Sequence, residues 1–203
     1  MLLIKLGILL IGFIYAGLLP YMVKRTIAHV RFDLVRQTLS FLSNRDLYGQ
    51  KYVKGYKRLL FATACLTYIY FWLLSEFYDL GDNEVLMQQI DISFAILTLL
   101  AFVPHNINPY SLGNLKASVL RILHNILAVM LFLMLPALII MFQFSVLPQM
   151  YFLGISGLIG IGAVMVVTIV SVLMNGINGV TEILFIEGIS LWSLYITILT
   201  LLR

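Results

Sequence analysis

Long runs of apolar residues alternate with short polar segments along the whole chain. A transmembrane helix needs about 20 mainly apolar residues, and six segments reach this length. They cover residues 2–23, 59–78, 85–103, 117–143, 150–174 and 180–202. The third segment has the weakest pattern because Asp91 interrupts it. The pattern predicts an all-α, polytopic membrane protein, a single bundle of six transmembrane helices that uses the whole of 1–203.

Composition supports this class. Hydrophobic residues make up 62% of the 203 positions and charged residues only 11%, with a mean hydropathy of +1.02. Soluble domains are about 45–50% apolar and about 25% charged. Since nearly all of the chain is needed to cross the bilayer, we expect no separate soluble domain. The single cysteine, Cys65, excludes an intramolecular disulfide and a CxxC site.

Loop charges predict the orientation. Nine of the thirteen basic residues lie between the first two spans: Lys24, Arg25, Arg31, Arg36, Arg45, Lys51, Lys54, Lys57 and Arg58. The second loop is acidic, and Lys116 and Arg121 flank the third. The positive-inside rule therefore places loops one, three and five in the cytoplasm, with both termini outside.

The first loop carries an amphipathic pattern. Apolar or small residues recur at helical spacing: Ile27, Val30, Leu34, Thr38 and Phe41. This spacing predicts an amphipathic helix that lies among lipid headgroups. We expect anionic headgroups to contact the basic residues of this region, namely Arg31, Arg36, Lys51, Lys54, Lys57 and Arg58. The alternative is that these charges only set the topology and anchor the loop.

Polar side chains at membrane depth define the candidate site. They are Asp91 in the third span, Arg121, His124 and Asn125 in the fourth, and Glu182 and Glu187 in the sixth. His105 lies in the adjoining loop. Such residues are costly in lipid and face the bundle interior by default. We expect them to converge on one pocket near the cytoplasmic side, with Asp91 reaching it from mid-membrane.

Several chemistries could in principle use this cluster. A catalytic metal needs about three ligands, but the chain has three histidines and no HxxxH or HExxH pair. Haem lacks a second histidine at comparable depth, and a proton path through Asp91, His124 and Glu182 lacks a denser relay. We therefore predict no metal and no cofactor. The structural alternative is an interhelical hydrogen bond from His124 or Asn125, worth about 0.6–2 kcal/mol.

Glycines in the fifth span do not form a nucleotide loop. Gly154, Gly157 and Gly160 fall three residues apart, without the GxGxxG spacing, a preceding strand or a lysine. The spacing predicts a stripe at which another helix approaches closely.

Short motifs resemble a family of six-span prokaryotic membrane proteins, domain-of-unknown-function family 998, which is similar in layout to the Frag and DRAM group. They are Leu39-Ser40-Phe41-Leu42, Phe102-Val103-Pro104, His124-Asn125 followed by Ala128, and Gly179-Val180-Thr181-Glu182 followed by Trp192. The resemblance implies a multi-pass protein of a prokaryotic cytoplasmic membrane and a meaningful pairing of His124 with Glu182. It implies no activity.

Two functions stay open. The first is a non-enzymatic bundle, or a subunit of a membrane complex, that binds lipid or another membrane protein. The second is a membrane-embedded, lipid-modifying enzyme that uses His124 with Glu182 or Asp91. Neither involves nucleic acid.

Overall fold

Six long helices and a structured first loop make up the computed structural model, which describes residues 1–103, 105 and 115–202. Pro104 and the side chain of Lys116, both used above, lie outside the described residues. The α-helices are α1 (Leu2–Ala28), α2 (Arg45–Tyr48), α3 (Gln50–Phe77), α4 (Glu84–Phe102), α5 (Leu115–Val146), α6 (Tyr151–Asn175) and α7 (Gly179–Leu201). A 3₁₀ helix, Leu39–Ser43, precedes α2.

All except the short α2 are long and apolar enough to cross a membrane, so the predicted six-helix membrane bundle is confirmed. Each predicted span corresponds to one helix. The largest difference is at α3, which begins at Gln50 rather than near residue 59. Val53 is buried, so the tyrosine- and lysine-rich segment before the apolar run already packs as helix.

The six long helices close into a ring. Neighbours in the ring are α1 and α3, α3 and α4, α4 and α5, α5 and α6, α6 and α7, and finally α7 and α1. Because consecutive spans run in opposite directions, the C-terminus of α1 and the N-termini of α3, α5 and α7 meet at one end. We call this the first-loop end.

Aromatic side chains fill the bundle further from the first loop. The Phe71 ring stacks on Trp192 at 5.9 Å between centroids, and it meets Phe142 edge-on at 6.0 Å. The Tyr70 hydroxyl donates a hydrogen bond to the Ser193 carbonyl at 2.8 Å. These aromatic contacts join α3, α5 and α7 in the part of the bundle away from the first loop.

The first loop does not form the predicted amphipathic helix among headgroups. α1 ends at Ala28, and helical structure returns only in the 3₁₀ helix and α2. The backbone N–H groups of Gly179 and Val180 donate to the carbonyls of Gln37 and Leu34, at 2.7 and 3.2 Å. These amides open α7 and have no partner within their own helix. The loop therefore folds against the bundle and satisfies them.

The same fold buries the apolar side chains of the loop. Leu39 and Leu42 are 4% and 2% exposed. The two leucines are not part of the helical spacing seen in the sequence, whose members, from Ile27 to Phe41, are only half-buried.

The glycine stripe of α6 is a close-approach surface at two of its three positions. A β-carbon at Gly154 would lie 2.8 Å from the Cα of Leu147, and one at Gly157 would meet the buried amide of Gln143. At Gly160 the nearest atom of another helix is Trp192 Cδ1, at 3.8 Å. The predicted close approach of another helix is confirmed at Gly157, whereas Gly154 packs against Leu147 in the turn that follows α5.

Candidate functional site

An internal cavity of about 920 Å³, its open mouth included, lies at the first-loop end of the ring. Five spanning helices, α1, α3, α4, α5 and α7, line it together with the 3₁₀ helix. Most of the wall is aliphatic or aromatic, and Phe132 of α5 touches Phe185 of α7 at 4.5 Å between ring centroids. About 100 Å³ of this space is open to the centre of a water-sized sphere.

The cavity has a polar end. Its polar side chains are Tyr56, His124 and Glu182, which lie on the parts of α3, α5 and α7 nearest the first loop. Ser40 of the 3₁₀ helix joins them. The opposite part of the wall holds Leu135 and Ile189 and borders the aromatic core. The cavity is therefore amphipathic. Its imidazole and carboxyl group lie at one end, and the rest of the wall, the shaft, is apolar apart from the hydroxyl groups of Tyr15, Thr63 and Ser190.

His124 is held by the end of α4. Its Nδ1 atom lies 2.8 Å from the carbonyl oxygen of Val103, and the residue is 1% exposed. The ring also meets His105 edge-on, at 5.0 Å between centroids. The other ring nitrogen, Nε2, is buried and has no hydrogen-bond partner among the described residues.

Glu182 connects α7 to the first loop. One oxygen of its carboxyl group, Oε2, accepts a hydrogen bond from the backbone N–H of Leu39. The carboxyl group sits in the first turn of α7, where the helix dipole favours an acidic side chain. This contact positions the 3₁₀ helix across the polar end of the cavity.

His105 lies outside the spans, between Phe41 of the first loop and His124. Its ring is 4.9 Å from that of Phe41, and its backbone N–H donates to Ser43 Oγ at 3.2 Å. Burial lowers the pKa of His105 to about 4, and nearby His124 and Arg121 act in the same direction. The imidazole is therefore uncharged at neutral pH.

We expect the pH titration of His105, followed by the ring chemical shifts of histidine-labelled protein, to have its midpoint near the folded pKa of about 4. The unfolded value is about 6.5. Because the folded pKa is the lower one, the stability contributed by neutral His105 is complete above about pH 6.5 and is lost as the pH falls towards 4. In His105→Phe, this part of the pH dependence of unfolding should disappear. A midpoint above pH 6 would contradict the assignment.

Three residues of the predicted cluster lie outside the cavity. Asp91 and Asn125 are exposed on α4 and α5, and Glu187 forms an ion pair with Lys24 of α1 at 2.6 Å. Asn125 directly follows His124, so it points away around the helix; Glu187, five residues after Glu182, is rotated by about 140°. The predicted convergence therefore does not extend to these side chains, and Asp91 does not reach the cavity from mid-membrane.

Arg121 and the basic residues of the first loop also lie outside the cavity wall. Arg121 is half-buried and close enough to His105 to influence its pKa. Five of the basic side chains named for this region are exposed: Arg31, Arg36, Lys51, Lys54 and Arg58. The sixth, Lys57, is partly exposed. None of these lines the cavity. They form a basic outer surface at the first-loop end.

Tyr56 and Ser40 are cavity residues that the sequence pattern did not indicate. Tyr56 stands among tyrosines and lysines, a composition typical of an interfacial belt. The spacing of Tyr56, Leu60 and Thr63 is the signal that could have found it, since positions four and seven residues apart share one helix face. No pattern identifies Ser40, because its place depends on how the first loop folds.

Metal-binding geometry is lacking in the described part of the chain, where no three His, Cys, Asp or Glu side chains group closely enough to hold an ion. The candidate chemistry is thus that of an imidazole, a carboxyl group and two hydroxyl groups at the end of an apolar cavity.

Together, the helices and the cavity define the protein as a multi-pass integral membrane protein, a helical bundle with an internal amphipathic cavity. No known protein family matches the sequence, and no characterised protein or solved structure matches the chain.

Proposed function

We propose that the protein binds an amphiphile of the membrane inside the bundle, with the apolar chain in the shaft of the cavity and the polar head against His124 and Glu182. The observation that carries the proposal is the combination of a mainly apolar wall with a polar end in one cavity. A purely structural polar contact needs no cavity beside it. Apolar cavities of this kind bind apolar molecules readily.

The first loop contributes to the same proposal in two ways. Its 3₁₀ helix lies under the polar end through the contact between Leu39 and Glu182, so it would cover the head of a bound amphiphile. Its exposed basic residues would rest on anionic headgroups, at about 1 kcal/mol for each cation near the surface. On this proposal the first-loop end faces the cytoplasmic side of a prokaryotic cytoplasmic membrane, with the remaining outer faces free for lipid or a partner subunit.

The resemblance to family 998 agrees with this proposal. Among the motifs that carry the resemblance, one begins at His124 and another runs from Gly179 to Glu182. His124 and Glu182 line one cavity although 58 positions (182 − 124) separate them. We propose that the pair is the shared feature of the resemblance.

The alternative function uses the same pair. His124 and Glu182 could act as base and acid on the bound head, which would make the protein a lipid-modifying enzyme. The exposed position of Asp91 removes it from this role. Turnover of the bound amphiphile, followed by mass spectrometry of extracted lipids, separates an enzyme from a binding protein.

Native mass spectrometry tests the proposal most directly. We expect protein that is released gently from its own membrane to carry the extra mass of one amphiphile, identified after extraction into solvent. The mass of a second polypeptide would instead point to a subunit of a membrane complex. The bare mass of the chain in every charge state, also after incubation with total membrane lipid, would contradict the binding function.

A further inference from the structure

The hydrogen bond between His124 and Val103 fixes which ring nitrogen of His124 carries the proton. A backbone carbonyl can only accept, so Nδ1, at 2.8 Å from the Val103 oxygen, is the donor. A doubly protonated ring would need a partner or counter-ion at Nε2, and none exists among the described residues. The ring is therefore neutral, and Nε2 presents a lone pair.

This lone pair is buried and unused. His124 is 1% exposed and lines the cavity, and Nε2 has no donor among the described side chains and backbone groups. Buried acceptors without a donor are rare and costly in folded proteins. The Nδ1 atom of the neighbouring His105 ring is likewise buried without a partner among the described residues, so the two rings do not satisfy each other. A molecule in the cavity that brings a hydrogen-bond donor to Nε2 would remove this cost.

Charge limits the chemical class of that molecule. Among the described residues that line the cavity, Glu182 is the only acidic one and neither lysine nor arginine occurs. Lys54 and Arg58, on either side of Tyr56 in α3, are exposed on the outside of the bundle. An anionic head would thus lie beside a carboxyl group with no cation in the cavity wall, which is unfavourable at low dielectric. The half-buried Arg121, one turn before His124 on α5, is not part of this wall. The carboxyl group of Glu182 is the other acceptor at this end, and it too favours a ligand head that donates a hydrogen bond.

We infer that the cavity is selective for an uncharged amphiphile that ends in a hydroxyl group, such as a long-chain alcohol, with the hydroxyl donating to His124 Nε2. The inference rests on the proposed function and narrows its ligand class. According to this inference, the protein contacts two kinds of lipid at two different places. The basic outer surface meets anionic headgroups, whereas the cavity excludes them.

Matched single-chain probes test the inference. The protein is placed in nanodiscs of phosphatidylcholine, whose headgroup has no hydrogen-bond donor, and binding of tritiated hexadecanol is measured with empty nanodiscs as the blank. Hexadecyl methyl ether, hexadecyl phosphate, hexadecylamine and hexadecane then compete for the site. All five share the same chain, so differences between them report on the head alone.

We expect saturable binding of the alcohol, with the methyl ether about tenfold weaker because it accepts hydrogen bonds but donates none. The phosphate should compete no better than hexadecane. The amine should compete less well than the alcohol, because the one carboxyl group that could balance a buried ammonium already accepts from the Leu39 N–H. Equal binding of alcohol and ether, or a preference for the phosphate or the amine, would overturn the inference while leaving an amphiphile-binding protein. Absence of saturable binding by every probe would instead contradict the proposed function itself.

Two substitutions of one residue locate the acceptor. In His124→Asn, an amide nitrogen can still donate to Val103 but Nε2 is lost, so the alcohol should bind only as well as the ether. In His124→Gln, the amide oxygen replaces Nε2 as acceptor, and a preference for the alcohol should return in part. Asn125→Ala, at the exposed neighbouring position, is the control that should leave both affinities unchanged. Full alcohol preference in folded His124→Asn would overturn the assignment of Nε2.

Discussion

Replacing Gly12 with leucine should prevent α1 from closing the ring and should lower the free energy of unfolding by about 3 kcal/mol or more. A β-carbon at Gly12 would meet Thr197 of α7, lying 3.0 Å from its Cγ2 and 3.1 Å from its Cβ and closer still to the hydroxyl oxygen. Overpacking a core by even small groups costs about 1–3 kcal/mol. Leucine adds three more carbons at a contact that already lacks room for one.

Thr197 cannot move aside cheaply. It is 0% exposed, and its hydroxyl group donates to the Ser193 carbonyl at 2.8 Å and lies 2.9 Å from the Tyr70 hydroxyl. A rotation that cleared the new side chain would break these buried hydrogen bonds. The strain therefore has to be relieved by separating α1 from α7.

Gly17→Leu is the matched control for Gly12→Leu. Gly17 lies on the same helix and is exposed, and a β-carbon added there would meet no neighbouring atom within 4 Å. Leucine at this position should change stability by less than about 0.5 kcal/mol. Reversible unfolding in mixed micelles, followed by circular dichroism, measures both variants. Equal stability of the two would show that α1 and α7 do not approach as closely as described.

Replacing Ala128 with phenylalanine should abolish ligand binding, with a loss of about hundredfold or more in hexadecanol affinity. Ala128 lines the cavity one helical turn after His124, on the same face of α5. A phenyl ring at this position occupies the shaft in which we place the apolar chain. Because the ring fills existing space, stability should be kept or should rise by about 1 kcal/mol.

The control for Ala128→Phe is Val129→Phe. Val129 is the next residue, is 51% exposed, and points away from the cavity, so the same ring there should leave both affinity and stability unchanged. Binding of tritiated hexadecanol and the unfolding midpoint are compared in one lipid composition. If folded Ala128→Phe binds the alcohol like the unchanged protein, the ligand does not lie in this cavity.

Much of the fold could be predicted because it depends on a local property. Each long apolar run must form a helix in lipid, where unpaired backbone groups cost several kcal/mol. The six spans could therefore be counted along the chain. Helix ends were predicted less well. α3 begins nine residues (59 − 50) before the predicted start, because Lys51, Lys54, Lys57 and Arg58 interrupt the apolar run without ending the helix.

The candidate site could be predicted only in part. His124 and Glu182 were selected because ionisable groups at membrane depth are costly, and both line the cavity. Asn125, Asp91 and Glu187 satisfied the same criterion and lie elsewhere. Depth along a helix can be read from residue number, but the direction of a side chain depends on which face the neighbouring helices cover.

By itself, the sequence determined the class of protein, the number of spans and two residues of the cavity, because these follow from the cost of placing polar groups in lipid. Only the tertiary structure decided the closed order of the helices, the fold of the first loop under the bundle and the Nε2 of His124, which has no partner in the described part of the chain. These depend on contacts between distant segments, such as Leu39 with Glu182 and Val103 with His124, and such contacts form only when the ring closes.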